Sequence, residues 1–175
     1  TSLMTVVGAF LTTSVSKFYI DTFYQQMNDV FGADNSSVVS DLRNAAEEDN
    51  AVERISDILS TNAGNLGIDY NTRNYFVLDG QTGTFLSGSA GAPELTREQT
   101  VNLLTARNAV ALQDDTMVGD KSDITADYMD AAIPIFNGDN AYIIYILDNK
   151  DTVTDLNSQI FLIIMQALVI GLLIS

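Results

Sequence analysis

The chain has 175 residues, with 8 Lys+Arg against 23 Asp+Glu, a formal net charge of −15, and neither His nor Cys. Such an acidic surface repels nucleic-acid phosphates and anionic lipid headgroups. Without His or Cys there can be no Ser-His-Asp or Cys-His nucleophile, no ordinary zinc ligand set and no disulfide framework.

The first segment, Leu3 to Val15, is uncharged, and the first charge is Lys17. Residues 1–17 read as the outer part of a first membrane-crossing helix. The helical pattern then continues without a break, because Ile20, Phe23, Met27 and Val30 recur at spacings of three and four. Gly32, Asp34, Asn35 and Ser36 should end it, leaving Ser37 to cap a second helix. That helix carries Val38, Leu42, Ala45, Val52, Ile55, Leu59 and Ala63 inward, with Glu47 to Asp49 on a solvated face. Gly64 and Gly67 should terminate it.

From Asn74 to Ser89 the period changes to that of strands, with a hairpin turn at Asp79 to Gly83. A helix is expected after Pro93, with Thr96 as N-cap, Gln99 at the capping-box position, and Val101, Leu104 and Ala111 facing inward. Residues 114–127 form a polar connection that includes a short edge strand. Its Asp114, Asp115, Asp120, Asp123 and Asp127 do not match the D-x-[DN]-x-[DN]-G-x5-E pattern of a calcium loop, and no phosphate-binding glycine loop occurs anywhere. No catalytic residue, metal site or cofactor is expected.

Asp127 to Phe136 and Ala141 to Asp148 read as an antiparallel hairpin joined by NGDN. In the second of these strands Tyr142, Ile144 and Ile146 alternate with Ile143, Tyr145 and Leu147, so both faces are apolar and both require a cover. The N-terminal helices should supply one cover and the Thr96 helix the other. A last helix begins near Asp151. Val153, Leu156, Ile160, Ile163, Ala167, Ile170 and Ile174 alternate in steps of three and four, a heptad seam for helix pairing. Ile160 to Ser175 holds no charge and spans roughly 24 Å as a helix, against a hydrocarbon core of about 30 Å. It reads as a truncated second span. With only Lys17 and Lys150 as cations near the spans, the domain between them, residues 18–150, is expected to face outward from the cell membrane, followed by a juxtamembrane and membrane helix over 151–175.

Three stretches carry a family resemblance: FYIDTFYQQM (Phe18 to Met27), YFVLDGQTGTFLSGS (Tyr75 to Ser89) and AAIPIFNGDNAYIIYILD (Ala131 to Asp148). Together they resemble the extracytoplasmic single Cache (PAS-like) sensor domain of bacterial membrane histidine kinases, the WalK-type kinases of Gram-positive bacteria in particular. Chemoreceptors and diguanylate cyclases use the same module, and a membrane-tethered protein-binding scaffold is the reading from a different class. The resemblance implies an α+β fold with a central antiparallel sheet, a long N-terminal helix, two flanking spans and a homodimer. It also implies that a small-molecule ligand would lie between the sheet and the Thr96 to Leu112 helix. Arg107 and Lys121 are then the candidate cations for an anionic ligand, and Tyr128, Asp130 and Tyr145 the candidate polar contacts. Against this stands the simpler expectation that an exposed helix Arg is solvated and that strand tyrosines pack with their hydroxyls at the rim.

Overall fold

The computed structural model describes residues 2–32, 36–89, 92, 95, 103–109 and 128–174. Helix α1, Ser2–Phe31, is unbroken and about 45 Å long. Its C-terminal half buries Ile20, Phe23, Tyr24, Met27, Val30 and Phe31, whereas Leu3, Val6 and Phe10 in its N-terminal half are exposed. One helix thus serves two environments.

The expected second helix is three helices: α2 (Ser36–Ala46), α3 (Ala51–Thr61) and α4 (Ala63–Leu66). The chain turns at residues 47–50, where Glu48 N–H reaches the Ala45 carbonyl at 3.1 Å and Ala51 N–H the Glu48 carbonyl at 3.1 Å. Glu47 to Asp49 therefore occupy a turn and not a helix face. Three adjacent like charges, ending in Asp49 and Asn50, whose short polar side chains compete for backbone hydrogen bonds, favour that turn. Its effect is to rephase the apolar row, so that Ala51, Ile55 and Leu59 are buried while Val52 is only half-buried. Ser37 lies inside α2, not ahead of it, and Gly64 lies inside α4; Gly67, at φ +69°, ends that helix.

Strands β1 (Arg73–Asp79), β2 (Phe85–Gly88), β3 (Met129–Asn137) and β4 (Asn140–Asp148) form one antiparallel sheet in the order β2-β1-β4-β3. Both hairpins form as expected. Asp79 Oδ1 accepts the Gln81 and Thr82 N–H groups at 2.8 and 2.9 Å, and Gly83 (φ +73°) completes that turn. Gly138 (φ +62°) opens the two-residue turn between Asn137 and Asn140.

The two rows of β4 enter two separate cores. Tyr142, Ile144 and Ile146 join Tyr75, Val77, Ala131, Ile133 and Ile135 against α1, α2, α3 and α4. Ile143, Tyr145 and Leu147 join Phe76, Leu78 and Ala132 against Leu103 and Ala106 of a helical segment, residues 103–109, here α5. Leu104 is exposed there, contrary to expectation, because the inward stripe of α5 runs through its neighbours Leu103 and Ala106. Thr96, Gln99, Val101, Ala111 and the 114–127 connection lie outside the described residues.

Helix α6, Asp151–Ile174, runs antiparallel along the N-terminal half of α1. Asn157 Nδ2 donates to Ser16 Oγ at 3.2 Å, and a Cβ placed on Gly8 would stand 3.3 Å from Ile164 Cδ1. Small residues at Gly8, Thr12 and Ser16 permit this approach, and Thr12 returns its hydroxyl to the Gly8 and Ala9 carbonyls, so it leaves no bare polar group. Both α1 and α6 are long and apolar enough to cross a membrane, and almost nothing of those apolar stretches is buried within the chain.

Candidate functional site

Among the described residues, two polar constellations within the apolar interior contain ionisable groups. The first lies on the α5 side of the sheet. Tyr145 donates its hydroxyl to Asp130 Oδ2 at 2.5 Å, and both residues are fully buried. Tyr24 of α1 donates to the Asp130 backbone carbonyl at 2.9 Å, tying the helix to β3. Tyr128 is half-buried beside the same core. Burial first, then the negative charge of Asp130 and the hydrogen bond to it, push the Tyr145 phenol far above its ordinary pKa, so it remains protonated. Three of the five residues nominated as ligand contacts thus come together.

Arg107 does not join them. Its Nη2 donates to the Gln81 carbonyl at 2.9 Å and its stem lies against Gly83, so it clasps the β1–β2 turn. The backbone N–H of Thr82 chiefly, then that of Gln81 and the charge of Arg107, outweigh burial and hold the Asp79 carboxyl below the usual carboxylate range. Asp79 pairs with Tyr142 in the sheet and Phe76 with Tyr145, which puts the Arg107 clasp roughly 10 Å along the strands from Tyr145. Lys121 lies outside the described residues. On the opposite face, α3 and β2 border an open groove of about 540 Å³ lined by Asp49, Glu53, Asp57, Ser87 and Tyr142, none of which the sequence had nominated.

The second constellation was not foreseen. Arg73 begins β1 and Asp148 ends β4; the antiparallel register sets them opposite each other, and Arg73 Nε donates to Asp148 Oδ2 at 2.9 Å. With only 13% and 8% of their side chains exposed, the pair is shielded from solvent. Arg73 Nη1 donates to Gln26 Oε1 on α1 at 2.7 Å and to the Leu66 carbonyl of α4 at 2.8 Å, while the guanidinium lies 4.9 Å from the centre of the Phe23 ring. Its own backbone N–H goes to Asp69 Oδ1 at 2.8 Å. Burial alone would raise the Asp69 pKa, but the N–H groups of Arg73, Asn71 and Thr72 and the Arg73 charge win and lower it.

The other oxygen of Asp148 accepts the Lys150 N–H at 2.7 Å. Lys150 is buried and held at φ +59°, a conformation unusual for a side-chain-bearing residue. Asn149 N–H binds the Thr72 carbonyl at 3.0 Å, Asn149 Oδ1 accepts the Asp151 N–H at 3.0 Å, and α6 starts there. A single ion pair therefore touches α1, α4, both central strands and the first residues before α6.

The heptad residues divide. Leu156 and Ile160 are half-buried, whereas Ile163 and Ile170 are exposed and turned away from α1; the Val153 side chain lies outside what is described. The contact with α1 instead follows Asn157, which bonds Ser16, and then Phe161, Ile164 and Leu168, which with Gly8, Ala9 and Thr12 border a 390 Å³ apolar crevice. Comparison with protein-family models, with curated proteins and with solved structures finds no match to this chain.

Proposed function

We propose that the chain is the sensor module of a transmembrane signalling protein, an outward-facing single Cache (PAS-like) domain that passes an external stimulus through two membrane helices to a cytoplasmic histidine kinase. The observation that carries this reading is the continuity of two apolar helices with the domain's interior. α1 runs from its exposed apolar half straight into the core at Ile20 to Phe31, and α6 leaves the central strand β4 after only Asn149 and Lys150. The two lie side by side. A change of shape in the sheet thus has a short, stiff route into both helices. Such a module can shift their balance only by the differential affinity of a ligand for its two shapes. The homodimer belongs to the same proposal, with the outward row Ile163 and Ile170 on α6 available to a second copy. Val153, Leu156 and Ile160 complete the proposed seam.

Orientation and output are tested separately. The chain has no Cys, so a single Asp57→Cys on the exposed face of α3 reports its compartment through a membrane-impermeant maleimide applied to intact cells. Labelling is expected; protection from the reagent until the cells are lysed overturns the outward orientation. Fused to the catalytic half of a histidine kinase, the module is expected to change autophosphorylation when Leu156 is replaced by Asp. Output unaltered by that substitution counts against the transmitter reading.

A further inference from the structure

We infer that the Arg73–Asp148 pair is a mechanical joint that makes α1 and α6 follow the sheet, each through its own arm. The inference takes its biological meaning from the sensor reading above, but the joint itself can be measured without it.

The geometry separates the arms. The α1 arm is the 2.7 Å bond from Arg73 to Gln26, backed by Phe23 under the guanidinium. The α6 arm is the 2.7 Å bond from Lys150 N–H to Asp148, in a linker fixed by the Asn149 bond to Thr72. At the centre, the planar guanidinium spends separate N–H groups on Asp148, Gln26 and Leu66, a fan of directions that the ammonium of Lys could not reproduce. Gly67 makes room, because a Cβ there would stand 2.5 Å from Arg73 Nη1. An ion pair that only stabilised the fold would not need to hold both α1 and the two-residue linker that leads into α6, whereas a coupling element would. Elsewhere α1 and α6 meet each other chiefly through apolar and small side chains, which permit sliding.

The test uses the full chain in lipid nanodiscs with spin labels on introduced cysteines. Asp139→Cys marks the tip of the β3–β4 hairpin, and Thr13→Cys or Ser158→Cys marks α1 or α6, all at exposed positions. The apolar replacement Arg73→Met with Asp148→Leu keeps the site filled and the fold intact, which a cooperative melting curve verifies. In that variant both distances from the hairpin tip are expected to broaden or to shift by about 1–2 Å, the scale of helix displacements at packed interfaces. Gln26→Leu cuts one arm only and is expected to change the Thr13 distance while leaving the Ser158 distance at its parental value. Unchanged distances in the folded Met/Leu variant overturn the joint, and equal changes in both distances for Gln26→Leu overturn its division into arms. Distances that change while the output of the kinase fusion does not leave the joint standing and sink the sensor reading.

Discussion

Tyr145 keeps its proton because the alternative is an anion, buried without solvent, beside the carboxylate of Asp130. Its folded pKa lies above the unfolded value of about 10, so below that pH both states hold the proton and the group adds no pH dependence. Above it the unfolded chain releases a proton that the folded chain retains, and stability falls with rising pH by about 1.4 kcal/mol per unit. Tyr145→Phe is expected to abolish this alkaline slope in urea titrations between pH 9 and 11, while costing about 1–3 kcal/mol at neutral pH through the lost donor to Asp130. A slope identical in both proteins removes Tyr145 as its source. Asp69 and Asp79 act in the opposite direction: their lowered pKa values contribute stability above about pH 4 that is lost as pH falls through the folded values. Glycine supplies a second residue-level contrast. Gly67 and Gly138 both have positive φ, but a Cβ on Gly138 meets nothing within 4 Å, whereas one on Gly67 meets Arg73. Gly138→Ala is expected to pay the backbone cost alone, about 1–2 kcal/mol, and Gly67→Ala distinctly more. Equal melting temperatures for the two variants would argue that the Arg73 guanidinium yields freely.

At the scale of elements, strands were easier to read than helices. The two apolar rows of β4 required two covers, and each row does enter its own core, because a strand's period of two assigns every side chain to a face unambiguously. Ile144, opposite Val77 on one side and Ile133 on the other, is completely closed to solvent. Ile144→Asp buries a carboxylate with no charge partner in that row, a cost of several kcal/mol and a large part of a domain's whole stability. Loss of the cooperative melting transition is expected; a parental melting curve would contradict the two-sided packing. The break between α2 and α3 was illegible for a physical reason. The four-residue turn rephases the apolar row by a single position, Ala51 in place of Val52, and leaves Ile55 and Leu59 inward, so counting positions sees one helix where the chain makes two. The Arg73–Asp148 pair was hidden differently. Each residue looks like a solvated charge at the end of its strand, and only the adjacency of β1 to β4, strands far apart in sequence, sets them opposite each other. The proximity of Tyr128, Asp130 and Tyr145 follows from a local hairpin and could be read; the position of Arg107 depended on how α5 lies over the sheet and could not.

The whole molecule divides its apolar surface between two kinds of burial. Among the described residues of 18–150 most large apolar side chains lie in the two cores, with Phe18, Tyr70, Phe85, Leu86 and Leu104 exposed, while the N-terminal half of α1 and most of α6 present Leu3, Phe10, Phe161, Leu162 and Leu173 outward, the last at 82% exposure. In water those stripes form a contiguous apolar patch far larger than soluble monomers tolerate. In a bilayer they cost nothing, and the 21 residues from Thr154 to Ile174 reach about 30 Å, close to the thickness of the hydrocarbon core. The acidic excess belongs to the other part, since Lys17 is the first charge in the chain and Asp155 the last. The two parts should therefore separate physically. Residues 18–150 alone are expected to be monodisperse in buffer without detergent and to melt cooperatively, because α1 contributes to the core only from Ile20 onward. The full chain is expected to sediment with liposomes and to need detergent for extraction. The fragment lacks α6 and the exposed apolar half of α1, so any fall in its melting temperature relative to the full chain in nanodiscs measures what the helix pair returns to the domain through Lys150 and Gln26. A full chain that stays monomeric in plain buffer would mean that α6 folds back onto the domain, and the division between a water-facing and a lipid-facing part would fail with it.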